Sequence, residues 1–391
     1  MRILTVLTYY RPHTSGLTIY AERLARAFAR RGHQVTVLTT QYDQSLPRDE
    51  TMDGVHVIRV PVAVRVSKGV LAPTFGLVAT KLAWQHDLVH LHLPNFDAPG
   101  VAFRARLFGK PAVLTYHCDL RLPPGLFNRF VNLVVKFQNN MAGILASHIV
   151  TYTQDYADNS SYLSRYHRKL TPILPPVVLP PPLPGAVEAF AAEHRTHDPS
   201  TGSGQGRRPV IGMVTRFAAE KGVEVLLDAL PSVLEKFPKA QVLFAGQYQN
   251  VLGEQDYAER LMPRIKEYED GGYWRFLGNL SQQQLAALYP SLDVLVVPSL
   301  NSTEAFGLVQ VEAMMNNVPC VASALPGVRR PVQMHGMGKV IPIGDAGALA
   351  VALLEIFAGK EKYRCDTTAL AKLYNPDSVA QEYEKLFEKL R

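Results

Sequence analysis

Two carboxylates and two cations stand where chemistry could use them. Glu304 and Glu312 are separated by seven residues in the stretch 293–323, DVLVVPSLNSTEAFGLVQVEAMMNNVPCVAS. The stretch reads as strand, loop, helix, turn and strand. DVLVVPS is apolar and β-branched without polar alternation, as a parallel strand covered on both faces must be. A helix is predicted from near Gly307 to near Asn317, with Leu308, Val311, Met314 and Met315 at three- and four-residue spacing and Pro319 barring its continuation. Glu312 follows Leu308 by four positions, which sets its carboxylate on the face of the first turn, near the amides of Phe306, Gly307 and Leu308. An anion-binding helix end and two acids then make one site. Taken alone, the pair reads as two solvated surface carboxylates, because Glu is seldom buried; the rest of the chain overturns that.

Arg216 and Lys221 fall together in RFAAEKG, the loop between a predicted strand, VIGMVTR, and a predicted amphipathic helix, EVLLDALPSVLEKF. Surface ion pairing accounts for any Arg and Lys, but not for both in one strand-to-helix loop on the edge where parallel sheets bind ligands. A planar fork and a point charge can neutralise an anion without metal, and no Asp-x-Asp pair occurs in the chain. Gly16 follows the first strand at a helix start, where a glycine lets a phosphate approach the backbone. Equally, Gly16 can serve the turn alone, since the loop lacks the spaced glycines of a dinucleotide fingerprint. His117 ends the strand PAVLTYH; Cys118 beside it points to the opposite face, which argues against a Cys–His nucleophilic pair. His90 and His92 share one side of the strand DLVHLHLP, and lacking a third ligand they read as packing residues rather than a metal pair.

Positioning these groups takes a sheet scaffold. RILTVLT, a helix over 17–31 and HQVTVLTT form a βαβ unit, which implies parallel strands. Further strands are predicted at VHVIRVPV, DLVHLHLP, PAVLTYH, HIVTYT and AQVLFAGQ, the last ending at Gly246. Seven prolines in 171–190 and the polar Gly/Ser-rich stretch 196–208 mark a linker. The organisation expected is a first domain over 1–170, a linker over 171–208, a second domain over 209–375 and a terminal helix over 376–391 that can cross back to the first domain. With 391 residues and 47% apolar composition the chain has ample core, and 19% charged residues excludes disorder. Three cysteines, Cys118, Cys320 and Cys365, are too few and too far apart for a disulfide framework or zinc site.

The whole pattern resembles the retaining glycosyltransferases of family 4. The Glu pair with AFG between and PSL before it, the RFAAEKG loop, the strand-end His and the glycine loop occur in the family's order along nearly the whole chain. The resemblance implies an α/β protein of GT-B fold, two Rossmann-like doubly wound parallel-sheet domains facing across a cleft. It implies hexosyl transfer from a nucleotide-diphosphate sugar, UDP- or GDP-linked, to an acceptor hydroxyl on a glycan or lipid-linked acceptor, with no metal and no cofactor. In that scheme Arg216, Lys221 and the amides near Gly16 and Leu308 hold the diphosphate. Glu312 holds the ribose hydroxyls, Glu304 and His117 face the donor sugar, and the backbone at Asn279 and Leu280 faces the base. The family's Gly-Gly-x-x-Glu loop is replaced here by LPGVRRPVQMHGMG.

Residues 1–180 hold 20 Lys/Arg against 10 Asp/Glu, whereas 181–391 hold 21 against 24. Such asymmetry suggests an anionic partner for the first half, a membrane surface or charged acceptor, rather than nucleic acid, for which no interleaved basic and aromatic motif is present. Residues 120–147 form a strongly apolar helix or helix pair. It fits a membrane interface, through Leu126, Phe127, Phe130, Val134 and Phe137, as well as it fits a sheet core. No apolar run spans a bilayer and no cleavage signal follows the start, so the protein is expected in the cytoplasm, at most peripheral on the inner face of the membrane. Two rivals stand beside the transferase: a nucleotide-sugar epimerase of the same fold and a non-catalytic nucleotide-sugar-binding scaffold.

Overall fold

The computed structural model describes residues 1–66, 69–120, 125–194 and 208–391, with all their side chains except those at 66, 127 and 128. It divides into two compact units, Met1–Val177 with Lys372–Arg391, and Val178–Ala371. The first contains β1 (Arg2–Val6), α1 (Gly16–Arg30), β2 (Gln34–Gln41), β3 (Asp49–Met52), β4 (Val55–Pro61), the small hairpin β5 (Val64–Val66) and β6 (Gly69–Leu71), α2 (Phe75–Gln85), β7 (Leu88–Leu93), α3 (Ala98–Leu107), β8 (Ala112–Tyr116), α4 (Leu126–Leu145), β9 (His148–Thr151), α5 (Gln154–Asn159) and β10 (Leu170–Pro172). The second contains α6 (Ala186–His194), β11 (Val210–Val214), α7 (Val223–Lys236), β12 (Gln241–Ala245), α8 (Gln255–Asp270), β13 (Trp274–Gly278), α9 (Gln282–Leu288), β14 (Val294–Val297), α10 (Leu308–Met314), β15 (Cys320–Ser323), α11 (Arg330–His335), β16 (Gly338–Ile341) and α12 (Ala346–Ala358). Helices α13 (Thr367–Tyr374) and α14 (Pro376–Leu390) close the chain.

Strands alternating with helices can pair only in parallel, because each helix carries the chain back to the sheet's starting edge. The first sheet has the order β10-β9-β8-β7-β1-β2-β4-β3, with β3 the one antiparallel strand, on its edge. The second, β13-β12-β11-β14-β15-β16, is parallel throughout. Counted within its unit, that order runs three-two-one-four-five-six, the doubly wound arrangement in which the connections reverse direction beside the first strand. The reversal falls between β11 and β14, the point beside which open α/β sheets bind ligands. Helices cover both faces of each sheet, hence strands such as β7, LVHLHL, and β14, VLVV, are buried at every position.

Two segments differ from the sequence reading. Within the expected linker, α6 is a helix whose buried Phe190 and Ala191 belong to the second unit; the Gly/Ser-rich residues 196–207 lie outside the described residues. Among the described residues of 120–147 there is one helix, α4, with one face buried on the protein and the opposite face exposed. Asn139 and Ala142 are buried, and a side chain at Gly143 would meet the Tyr162 hydroxyl at 2.5 Å, so that face lies flat on the protein. The opposite face leaves Leu126, Phe130, Leu133, Phe137 and Ile144 exposed, and Val134 half-buried between; the side chain of Phe127 lies outside the described residues.

The last helix, α14, packs against α1 in the first unit. Arg30 pairs with Asp377 at 2.8 Å, and Arg31 holds both oxygens of Glu384 at 2.7 Å each. Beneath them Tyr383 shares hydroxyl hydrogen bonds of 2.7 Å with Tyr20 of α1 and with Thr115 of β8. Tyr383→Phe strands the buried Tyr20 hydroxyl and should cost about 1–3 kcal/mol, read as a lower urea midpoint with an unchanged slope.

Candidate active site

In the second unit the site grows from the β11–β14 reversal. Beyond β11 the chain runs through Arg216 into a short 3-10 turn, Ala219–Lys221, and reaches α7 through Gly222, whose φ of 68° lies in the left-handed region. A Cβ at 222 would sit 2.2 Å from the carbonyl oxygen of Pro298, in the loop after β14. Only glycine lets the two loops close to this distance. They are stitched further by the Leu300 amide donating to the Glu220 carbonyl at 2.9 Å.

That approach brings Lys221 to Glu304, Nζ to Oε2 at 2.6 Å, with both side chains largely buried. The other oxygen of Glu304 accepts the Gly307 amide at 3.1 Å. This revises one expectation: the Gly307 amide at the start of α10 is already engaged by a carboxylate of the same loop. Arg216 pairs with Glu220 one turn away. Burial pushes the Glu220 carboxyl up, but Arg216 and Lys221 more than offset it and hold it below the usual range. Gly307 itself has φ of 77°, and a Cβ there would press on the Gln310 amide at 2.6 Å, while that amide donates to the carbonyls of Phe306 and Val328 at 2.9 Å each.

Glu312 is not the surface residue that an isolated Glu would be. It is 6% exposed on α10, and its Oε2 accepts the hydroxyl of the wholly buried Tyr289 at 2.9 Å. Nothing in the spacing of the sequence singled out Tyr289. Leu308 is half-buried at the helix start, Phe306 is buried beneath it, and Leu280 is half-buried after β13. For Gly246 the chain itself supplies the reason: its φ is 136°, and a Cβ would lie 2.0 Å from the Thr215 carbonyl oxygen.

In the first unit Ser15 caps α1 by accepting the Thr18 amide at 3.2 Å, and Gly16 follows it, exposed. Among the described residues, its chain neighbours and own helix backbone aside, no atom lies within 4 Å of where a Cβ on Gly16 would be. Its φ is not in the left-handed region either, so neither turn nor packing demands glycine there. The loop before it is braced by Arg59, whose buried guanidinium donates to the carbonyls of Arg11 and Pro47 at 2.9 Å each and pairs with Glu50. His117, 5% exposed just past β8, is held through both ring nitrogens, by His92 at 2.9 Å and by the Tyr152 hydroxyl.

Residues 198–368 match the family model described as glycosyl transferases group 1, and residues 15–176 match that of a glycosyl transferase 4-like domain. The chain belongs to the family 4 glycosyltransferases. It is 27% identical over 401 residues to the phosphatidyl-myo-inositol mannosyltransferase of Mycobacterium leprae, covering 99% of this chain and 96% of that one. To the 2-deoxystreptamine N-acetyl-D-glucosaminyltransferase of Streptomyces fradiae it is 28% identical over 402 residues, 94% of this chain and 90% of the other. Among solved structures, HepE of Anabaena in complex with UDP-glucose superposes with a TM-score of 0.76 at 20% identity over 100% of both chains. This glycosyltransferase has the GT-B fold.

Within the first unit of the glycosyltransferase, His117 belongs to a buried polar cluster. His90 meets Thr115 at 2.8 Å, and Thr115 meets Tyr383, while the His90 and His92 rings lie 4.3 Å apart. The sequence expectation that His90 and His92 are packing residues matches this placement. Burial pushes His90 and His117 down to about 3, and His92 well below its ordinary value through burial and its two histidine neighbours. Among the described residues, His90 Nδ1 and His92 Nε2 are buried with no partner. All three rings are therefore neutral in the folded protein, whereas the unfolded chain takes up protons below about pH 6.5. The sign follows: stability is full above about pH 6.5 and falls with acidification, by about 1.4 kcal/mol per pH unit for each such histidine. His90→Gln should remove one histidine's share, so its stability lost between about pH 7.5 and about pH 5.5 in urea titrations should be smaller than wild type's by roughly 1.4 kcal/mol.

Proposed function

We propose that this glycosyltransferase moves a hexosyl group from a UDP- or GDP-sugar to an acceptor hydroxyl, with retention at the anomeric carbon and without metal. The observation that carries the reading is the pairing of Lys221 with Glu304 at the point where the second sheet reverses direction. Open α/β sheets bind ligands there. In the reaction the bond from the anomeric carbon to the β-phosphate oxygen breaks, and a bond to the acceptor oxygen forms on the same face. The acceptor's proton passes to the departing diphosphate, so no protein base is required. Lys221 as a point charge and Arg216 as a fork take up the negative charge that develops on the leaving group. Glu304, fixed by Lys221 and the Gly307 amide, faces the sugar and stabilises its oxocarbenium-like transition state, and Glu312 holds the ribose hydroxyls. Phe306, Gly307 and Leu308 present the backbone beside the diphosphate, Gly246 closes the strand below it, and the backbone at Leu280 meets the base. The first unit contributes Gly16, whose open Cα suits a close anion, and His117 toward the sugar. The UDP-glucose complex of HepE and the mannosyl transfer named for the mycobacterial relative support a nucleotide-sugar donor.

A thermal-shift series with UDP, GDP and their sugar conjugates tests the donor site, since a ligand that binds only the folded state raises the midpoint. One nucleoside diphosphate series should raise it, indifferent to EDTA, and Lys221→Ala should abolish the shift. Absence of any shift in the wild type would sink the reading.

The acceptor is read as a glycolipid or growing polysaccharide reached from an anionic membrane surface. Helices α2, α3 and α4 contain Lys81, Arg104, Arg106, Arg129 and Lys136 but no Asp or Glu, and expose Leu77, Trp84, Phe103 and Leu107 beside the bare face of α4. Exposed apolar side chains on helices whose charged residues are all cations suit the interface of an anionic bilayer, and among the described residues no helix is long and apolar enough to cross one. The protein should sediment with anionic but not zwitterionic vesicles at low salt, and Phe130→Ser with Phe137→Ser should release it.

A further inference from the structure

Resting on the reading of Glu312 as the ribose-binding carboxylate, we infer that Tyr289 is a positioning residue for nucleotide recognition. A carboxylate only 6% exposed must have its charge met by fixed donors, because water reaches it poorly. Tyr289 supplies one, its hydroxyl donating to Glu312 Oε2 at 2.9 Å. The ring is wholly buried, in the short turn Tyr289–Ser291 that follows α9, so it cannot follow a moving partner. From the other side, Asn316 donates to the Glu312 carbonyl at 2.9 Å and fixes the helix that carries it. A hydrogen bond to an ionised acceptor is short and directional, and it fixes the carboxylate plane. An ionised carboxylate offers about four lone-pair sites, and the plane Tyr289 sets decides where the remaining sites point. A vicinal diol is read by two acceptor positions at once, so it is sensitive to that plane, whereas the diphosphate held by Lys221 and Arg216 is not. Tyr289 therefore governs discrimination between ribose and a sugar lacking those hydroxyls, through Glu312 and without touching the ligand.

The test measures the affinity of UDP and GDP, each beside its 2′,3′-dideoxyribose counterpart, by calorimetry on wild type, Tyr289→Phe, Glu312→Gln and the double variant. Wild type should prefer the ribose form, and Tyr289→Phe should shrink that preference by about tenfold while leaving the dideoxy affinity within about twofold of wild type. With donor sugar, KM should rise and kcat hold, since the ribose contact is the same in ground and transition states. The double variant removes the hydroxyl and the carboxylate together, so its preference should equal that of Glu312→Gln alone. Equal weakening of ribose and dideoxy forms in Tyr289→Phe, or further loss of preference in the double variant, would overturn the inference. Glu312→Gln with an undiminished ribose preference would instead overturn the ribose role of Glu312, and this inference with it.

Discussion

The close approach of two loops at the β11–β14 reversal is the constraint on which the second unit's site depends. Without a side chain at Gly222 the turn Ala219–Lys221 rests directly against the Pro298 carbonyl, and the chain enters α7 in a conformation that other residues resist. Everything charged in the site follows from that contact. Lys221 reaches Glu304, Glu304 reaches the amide of Gly307, and Glu220 is drawn into a position where it steadies Arg216. A larger residue at 222 would separate the loops and leave each ion with a solvent partner instead of a protein one.

In the reaction proposed above, these pairs serve orientation more than stability. An ion pair near the surface contributes little to folding, because water screens it. Holding two cations and two carboxylates in a strand-to-helix crevice has another effect: the charges are oriented before a reaction begins, so little reorganisation is needed as charge develops on a leaving group. The buried Tyr289 and Gln310 hold the same region from beneath, one on the carboxylate of Glu312 and the other on the carbonyls of Phe306 and Val328. Charged groups at the ligand edge thus stand on neutral hydrogen bonds in the interior.

The first unit puts its polar groups to different use. Two buried runs of hydrogen bonds replace the aliphatic packing found between β11 and α7: His90–Thr115–Tyr383–Tyr20, which ties the C-terminal helix to β7, β8 and α1, and His92–His117–Tyr152 beside it. His117 is the middle member of the second run, fixed through both nitrogens, so any ligand it meets encounters a neutral and oriented ring. On the outside the same unit exposes Leu77, Trp84, Phe103, Leu107 and one face of α4, on helices that contain Lys and Arg but no Asp or Glu.

The parallel sheets were legible because burial on both faces leaves a signature of unbroken β-branched runs, and the helices between them because their stripes have a different period. Glu304, Arg216 and Lys221 could be singled out because charged residues in loops beside such strands have few structural reasons to be there, and Glu312 because it follows the start of α10 by one turn. Sequence also predicted a helix or helix pair over 120–147 but could not choose its environment, since an amphipathic period is the same whether the bare face meets lipid, protein or water. Nor could it find α6, whose helix lies among prolines and contacts α9, distant in the chain. Gly16 and Gly246 looked alike in the sequence. Only the tertiary structure separates them, Gly246 required by a carbonyl 2.0 Å from its missing Cβ and Gly16 required by nothing in its own chain. Tyr289 belongs with what folding decided, because its partner is 23 positions away and no local pattern couples a buried hydroxyl to a distant carboxylate. Local periodicity and residue type are written along the chain, whereas contact across it is created only when the loops close.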